Sequence, residues 1–223
     1  METRALVPYT TLVQQFNTAP PGKLYCLHGS GSVFRLSLAA AAQVLLNDIP
    51  VTLVDGTNRF DVYYIAEFAR RYATMPSGGR PGKPEDLLNR IFISRAFTCY
   101  QLEATITERL PAFVRSTGSP VVIIFGLLDT FYDEQAPLFE VKASLQRVIA
   151  ALHSLKREHV SVLLASLDVR PASAERGKLF PTVAAAMDRV FFVTEEEGRQ
   201  RIVCERVATE KRKALKDSIR GTA

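Results

Sequence analysis

Chemistry in this sequence centres on Gly29-Ser30-Gly31. Lys23–His28 before it reads as a buried strand, and Val33 to Leu46 after it reads as an apolar, Ala-rich helix. A strand, a tight small-residue turn and a helix N-terminus together present backbone N–H groups to an anion, the arrangement that seats a triphosphate. A loop that works on a triphosphate carries Lys and then Ser or Thr directly after the second glycine. Here Ser32 and Val33 stand in those places. Gly29, Ser30, Gly31, Ser32 and Val33 are therefore expected to form a vestigial nucleotide loop, with no cation for the phosphates and no hydroxyl at Val33 for a metal.

The second feature with a chemical use is positive charge. The net charge is +5, and the segment from Arg199 to the end carries eight basic residues against three acidic ones, so it accounts for the whole excess. A basic segment on a neutral body suits an anionic partner, although a solvated tail helix reads the same way. Arg199, Arg201, Lys211, Arg212, Lys213 and Lys216 are the candidate phosphate contacts here. Arg170, Arg176 and Lys178 join them from a non-periodic segment, Val169–Lys178, that follows a buried strand. The tail lacks the interleaved aromatics of a base-stacking surface.

Other reactive residues are dispersed. Cys26, Cys99 and Cys204 sit in or beside apolar runs without ligand spacing and read as small buried hydrophobes in a reducing compartment. His28, His153 and His159 show no metal spacing and read as structural. Ser30 and Ser32 have no His/Asp partners in a hydrolase order. No metal and no cofactor is expected.

These residues need a scaffold, and the hydrophobic pattern supplies one. Strands are expected at Lys23–His28, Val51–Asp55, Arg90–Ser94, Pro120–Phe125, Val160–Ala165, Arg189–Val193 and Arg201–Val207. Runs such as Val121-Val122-Ile123-Ile124-Phe125 are apolar on both faces, the mark of a parallel sheet covered by helices. Helices are expected over Val33–Asn47, Asp61–Tyr72, Gln101–Arg115 and Leu138–Glu158, the last with a stripe of Val141, Leu145, Val148, Ile149, Leu152 and Leu155. The turn Thr194–Gly198 is too short for a helix, so the last two strands are expected to form an antiparallel hairpin. The Gly/Pro-rich run Pro76–Pro84 reads as an exposed loop. A lead-in (1–22), one α/β core (23–208) and a basic tail (209–223) complete the division. No apolar run reaches the roughly 18 residues of a membrane span, and the N-terminus lacks a secretory layout, so a cytoplasmic protein is expected.

In order along the chain, five segments resemble the ATPase core of the RecA/RadA/Rad51 recombinase family. Pro21–Gly31 looks like its first strand and phosphate loop. Val54-Asp55-Gly56-Thr57-Asn58-Arg59-Phe60 looks like its second strand, and Ile91–Gln101 like the strand ending in Arg-Ala-Phe with a Gln beyond. Val121–Phe125 falls at the Walker B strand and Ser161–Asp168 at the strand leading to the DNA-contacting loop. The resemblance spans about Pro21 to Val207, leaves no room for the family's N-terminal helical domain, and implies a RecA-like P-loop fold: a mostly parallel twisted sheet flanked by helices with a C-terminal antiparallel hairpin.

The same resemblance implies that the reaction is gone. The family's phosphate-loop Lys matches Ser32, its Mg²⁺-ligating Ser/Thr matches Val33, its Walker B Asp matches Phe125 or Gly126, and its water-polarising Glu matches Thr57. A desolvated triphosphate with no counter-charge is strongly disfavoured. Arg35 and Asp129 are the two rescue candidates, but Arg35 leaves the helix on another face and Asp129 has no second carboxylate beside it. Asp55 matches a family Asp and equally suits turn chemistry. Phe34 or a neighbour is expected to fill the pocket.

The expectation is a non-catalytic paralogue that binds a partner protein, a RecA-like ATPase or repair factor, and DNA through its basic loop and tail. It would act in DNA repair or recombination as a homo- or hetero-oligomer, at the nucleoid or in the nucleus when on DNA. Phe97, Phe131, Tyr132 and Phe139 are candidates for a partner surface. Two alternatives stand beside it: a regulatory subunit of another RecA-like ATPase with no DNA role, and an atypical NTPase using Arg35 and Asp129. Phe16-Asn17-Thr18-Ala19 fits the family's protomer-linking Phe-x-x-Ala, a pattern short enough to arise by chance.

Overall fold

The computed structural model describes residues 5–6, 21–73, 83–171, 173–196 and 199–207. The tail residues Lys211, Arg212, Lys213 and Lys216, the Phe16–Ala19 pattern and most of the Gly/Pro run lie outside them.

Eight strands form one sheet: β1 (Ala5–Leu6), β2 (Leu24–Gly29), β3 (Val51–Asp55), β4 (Ile91–Arg95), β5 (Val121–Phe125), β6 (Ser161–Leu167), β7 (Arg189–Glu196) and β8 (Arg199–Val207). Their spatial order is β1-β8-β7-β2-β6-β5-β3-β4. The six strands from β7 to β4 are parallel, and β8 turns back antiparallel on β7. Two residues of the lead-in join as β1, with Ala5 opposite Cys204, so the sheet extends one strand beyond the sequence expectation. A two-residue edge strand carries no hydrophobic periodicity to read.

Helices cover both faces. On one lie α1 (Ser32–Leu46), α2 (Val62–Ala73) and α3 (Pro84–Leu88), whose Leu45, Ile65 and Leu87 pack on Leu27, Leu53 and Ile123. On the other lie α4 (Cys99–Ala104), α5 (Leu110–Thr117), α6 (Leu127–Phe131), α7 (Leu138–Arg157) and α8 (Leu179–Ala186), packed on Leu24, Val54, Val122, Ile124 and Leu164. The alternation of β2, β3 and β5 residues between these two cores is the two-sided burial that their continuous apolar runs demand. In α1 the run Ala39–Ala42 is fully covered, small side chains letting the helix lie close on the sheet. Among the described residues no helix is long and apolar enough to cross a membrane.

The expected helix Gln101–Arg115 differs in detail. It starts at Cys99, capped by the Thr98 side chain accepting from the Gln101 N–H, and opens into a π turn over Thr105–Arg109 before α5. Pro111 explains the break, since it has no N–H to return to the preceding turn. The hairpin strands run further than expected, to Glu196 and from Arg199.

Consecutive connections leave β2 and β6 for opposite faces, α1 on one and α8 on the other. Such a divergence opens a crevice at the carboxyl ends of the strands, where open α/β sheets bind ligands. The glycine loop sits at this point.

Candidate functional site

Strand β2 ends at Gly29 with φ +132°, and a Cβ there would lie 2.1 Å from the Val193 carbonyl oxygen of β7. Only glycine fits that approach. Its purpose here is to let β7 close on the loop: the Ser30 N–H donates to the Val193 carbonyl at 2.9 Å, and the Asp168 N–H donates to the Gly29 carbonyl at 2.9 Å. The Val33 N–H turns inward to the Ser30 carbonyl at 3.1 Å. Two of the N–H groups that would face a phosphate are therefore committed within the protein.

Ser32 opens α1, 8 % exposed, and its hydroxyl donates to Glu195 Oε2 at 2.9 Å. The first turn of α1 contains no acidic residue, so this β7 carboxylate is the anion at the positive end of the helix. An incoming phosphate would meet like charge where a nucleotide loop offers lysine. Beyond Ser32 the site is apolar. Val33 is fully buried, and Phe34 stacks edge-on against Phe125 with centroids 5.1 Å apart. The Arg59 guanidinium lies over the Phe34 ring, 5.8 Å from its centroid. This aromatic pair joins the loop helix to the end of β5.

The ends of β3 and β5 do structural work. Asp55, fully buried, accepts from the Thr57, Arg59 and Phe60 N–H groups at 3.1, 3.1 and 2.9 Å, which makes it the organiser of the β3 turn. Thr57 packs its methyl against Gly126, whose φ is +65°. The Gly126 N–H donates to the Ala165 carbonyl at 2.8 Å and the Gly56 N–H to the Phe125 carbonyl at 2.9 Å, so the ends of β3, β5 and β6 are sewn together. Asp129, in the first turn of α6, is the remaining carboxylate, with one buried oxygen that has no hydrogen-bond partner. Burial pushes its carboxyl above the ordinary range, and Arg59 opposes this in smaller measure. Arg35, the other rescue candidate, lies over Tyr64 of α2 at 5.4 Å, so the structure does not bring Arg35 and Asp129 into one group. Among the described residues no three His, Cys, Asp or Glu side chains gather to hold a metal ion.

The basic residues divide. Arg176 is not a surface cation: it is 5 % exposed, and its guanidinium donates to the Phe131 and Ala136 carbonyls at 2.9 and 2.5 Å. That corrects the reading of Arg176 as a nucleic-acid contact. The physical reason is that α6 ends in an irregular turn whose carbonyls face inward and need a donor. Lys178 pairs with Glu175 at 2.6 Å and Arg201 with Glu196 at 2.7 Å, both exposed. Arg170 is exposed. The Arg199 side chain lies outside the described residues.

The aromatic candidates divide too. Phe131 is fully buried and Tyr132 half-buried, whereas Phe97 is 68 % and Phe139 74 % exposed. Tyr100, also exposed, donates to Glu140 at 2.5 Å and so links the start of α4, next to Phe97, to the start of α7, next to Phe139. His28 is buried against Phe180 and Phe192, with Nε2 2.8 Å from Glu205 of β8. Glu205 also contributes, after burial, to pushing the Cys26 thiol up to about 12.

Sequence reasoning missed Glu195. The signal was the acidic run Glu195-Glu196-Glu197 at a strand end, which local pattern assigns to a hairpin turn. Compared with known protein families and with curated proteins, the chain matches none.

Proposed function

We propose that this chain is a non-catalytic RecA/Rad51-like paralogue that acts as an accessory or scaffolding protein, binding a partner without ATP turnover. The observation that carries the reading is the Ser32–Glu195 hydrogen bond, which sets a carboxylate of the protein itself at the helix N-terminus where a γ-phosphate would need a cation. The position of the loop at the divergence of β2 and β6 supports descent from a ligand-binding frame. The aromatic contact of Phe34 with Phe125 supports loss of the ligand.

The partner is proposed to be a RecA-like ATPase or a repair factor that docks on Phe97, Tyr100 and Phe139. Large exposed apolar side chains at two helix starts joined by the Tyr100–Glu140 hydrogen bond suit a protein interface. A role in DNA repair or recombination, with DNA held by Arg170 and the basic tail, belongs to the same proposal. A regulatory subunit with no DNA role is the second reading. It is favoured by the burial of Arg176 and by the ion pairs of Lys178 and Arg201, which leave less free positive charge than the sequence suggests.

Calorimetry with Mg-ATP tests the first element: no binding heat is expected at about 1 mM nucleotide. Tight binding abolished by Arg35→Ala would instead support the atypical NTPase. Electrophoretic mobility shift with single- and double-stranded DNA separates the accessory readings, since absence of a shift at moderate salt removes the DNA role and leaves the regulatory one.

A further inference from the structure

One concavity lies away from the glycine loop. It is a cleft of about 580 Å³ between the edge of the sheet and the π turn, lined by Thr52, Val54, Ser94, Arg109, Leu110 and Phe113 among others. Its wall is set by register: Val54 lies opposite Ser94, and Thr52 opposite Phe92, all on one face of β3 and β4. Its roof is the widened turn Thr105–Arg109, where Pro111 breaks the helix, together with α5. Phe92 and Phe113 meet edge-on at 5.5 Å across the gap. Such a volume and an apolar wall with few polar groups are typical of small-molecule sites.

Two polar groups single out a ligand. Arg109 lies at the cleft, exposed, and has no carboxylate partner among the described residues. Thr52 is 2 % exposed, and its hydroxyl is buried without a hydrogen-bond partner. Native structures rarely leave such a hydroxyl unpaired, and an unpaired donor in a ligand wall is answered by an acceptor on the ligand. A carboxylate has lone pairs for both groups, taking the Arg109 guanidinium and, after a χ1 rotation that exchanges methyl and hydroxyl, the Thr52 O–H. The apolar body then covers Val54, Leu110 and Phe113.

We infer that this cleft binds a small monocarboxylate with an apolar body, seated by Arg109 and Thr52. The site is independent of the proposed accessory role and shares no residue with the glycine loop.

Calorimetric titration of the full chain with decanoate and with decan-1-ol tests it. Decanoate is expected to bind in the range of about 10–100 µM and decanol several-fold more weakly. Arg109→Gln should weaken decanoate by about tenfold, equal to 1.4 kcal/mol, and leave decanol unchanged. Thr52→Val keeps the shape of the wall and should weaken decanoate several-fold with Tm unchanged or raised. Ala112→Trp, at an exposed lining position, should block both probes. No decanoate heat at about 1 mM, equal affinity for the two probes, or indifference of decanoate to Arg109→Gln or to Ala112→Trp would each overturn the inference.

Discussion

Ser32 Oγ donates to Glu195 Oε2 at 2.9 Å, joining the first residue of α1 to the far end of β7, 163 residues later. The contact places a protein carboxylate at a helix N-terminus, where the helix dipole favours negative charge. It is both a structural clip and an electrostatic barrier, and these two roles can be measured apart.

As a clip, it gives Ser32→Ala a modest cost. A hydrogen bond to an exposed carboxylate contributes about 1 kcal/mol, which lowers Tm by roughly 2–4 °C in a chain of this size. Glu195→Gln keeps an acceptor and should cost less. Thermal unfolding of the two variants against the parent checks the order.

As a barrier, it predicts that lysine alone does not restore a nucleotide site. In Ser32→Lys the new ammonium would pair with Glu195, while Val33 still supplies no metal ligand. No Mg-ATP heat is expected from Ser32→Lys, and calorimetry on that single variant is the check; binding would show that the missing cation was the whole defect.

Gly29→Ala should be severe. The added methyl would meet the Val193 carbonyl at 2.1 Å in a backbone conformation that alanine rarely adopts. A loss on the order of 3–5 kcal/mol is expected, seen as a fall in the denaturant midpoint with the slope unchanged. Gly31→Ala, with open space around its Cβ, should be near neutral.

Asp129 should make stability pH-dependent. Burial holds its folded carboxyl above the ordinary range. Below the unfolded pKa both states are protonated and the residue costs nothing. As pH rises past that point the unfolded chain releases its proton first, so the penalty on folding grows until the folded pKa is passed and stays at its full value above it. Asp129→Asn should therefore raise Tm at neutral pH, with the difference fading toward pH of about 3.

Arg176→Ala should destabilise by about 2–4 kcal/mol, because it strands the Phe131 and Ala136 carbonyls in a buried position. Its unfolding midpoint is the readout. Lys178→Ala, at an exposed ion pair, should change stability by less than about 1 kcal/mol.

The core strands and the main helices were legible because their cause is local. Val121–Phe125 is apolar at every position, and α7 repeats its buried stripe at helical spacing, so each declares its element. Strand β1 and helix α8 were not legible. The first is two residues whose pairing with β8 supplies all its regularity, and the second is a short helix in the stretch between the loop Val169–Lys178 and the strand Arg189–Val193, to which the sequence pattern assigned no element. At the candidate site the glycines and the missing lysine could be read directly. The carboxylate that meets Ser32 could not.

By itself, the sequence determined an α/β chain with a glycine turn, Gly29-Ser30-Gly31, before a long apolar helix that opens on Ser32 and Val33. Only the tertiary structure decided that Glu195 occupies the head of the loop helix, that Arg176 is spent on backbone carbonyls, and that Thr52 and Arg109 share a cleft. The division has a physical cause. Periodicity and turn chemistry act over a few residues, whereas a hydrogen bond between β7 and α1 depends on sheet order and register, which pack distant segments together.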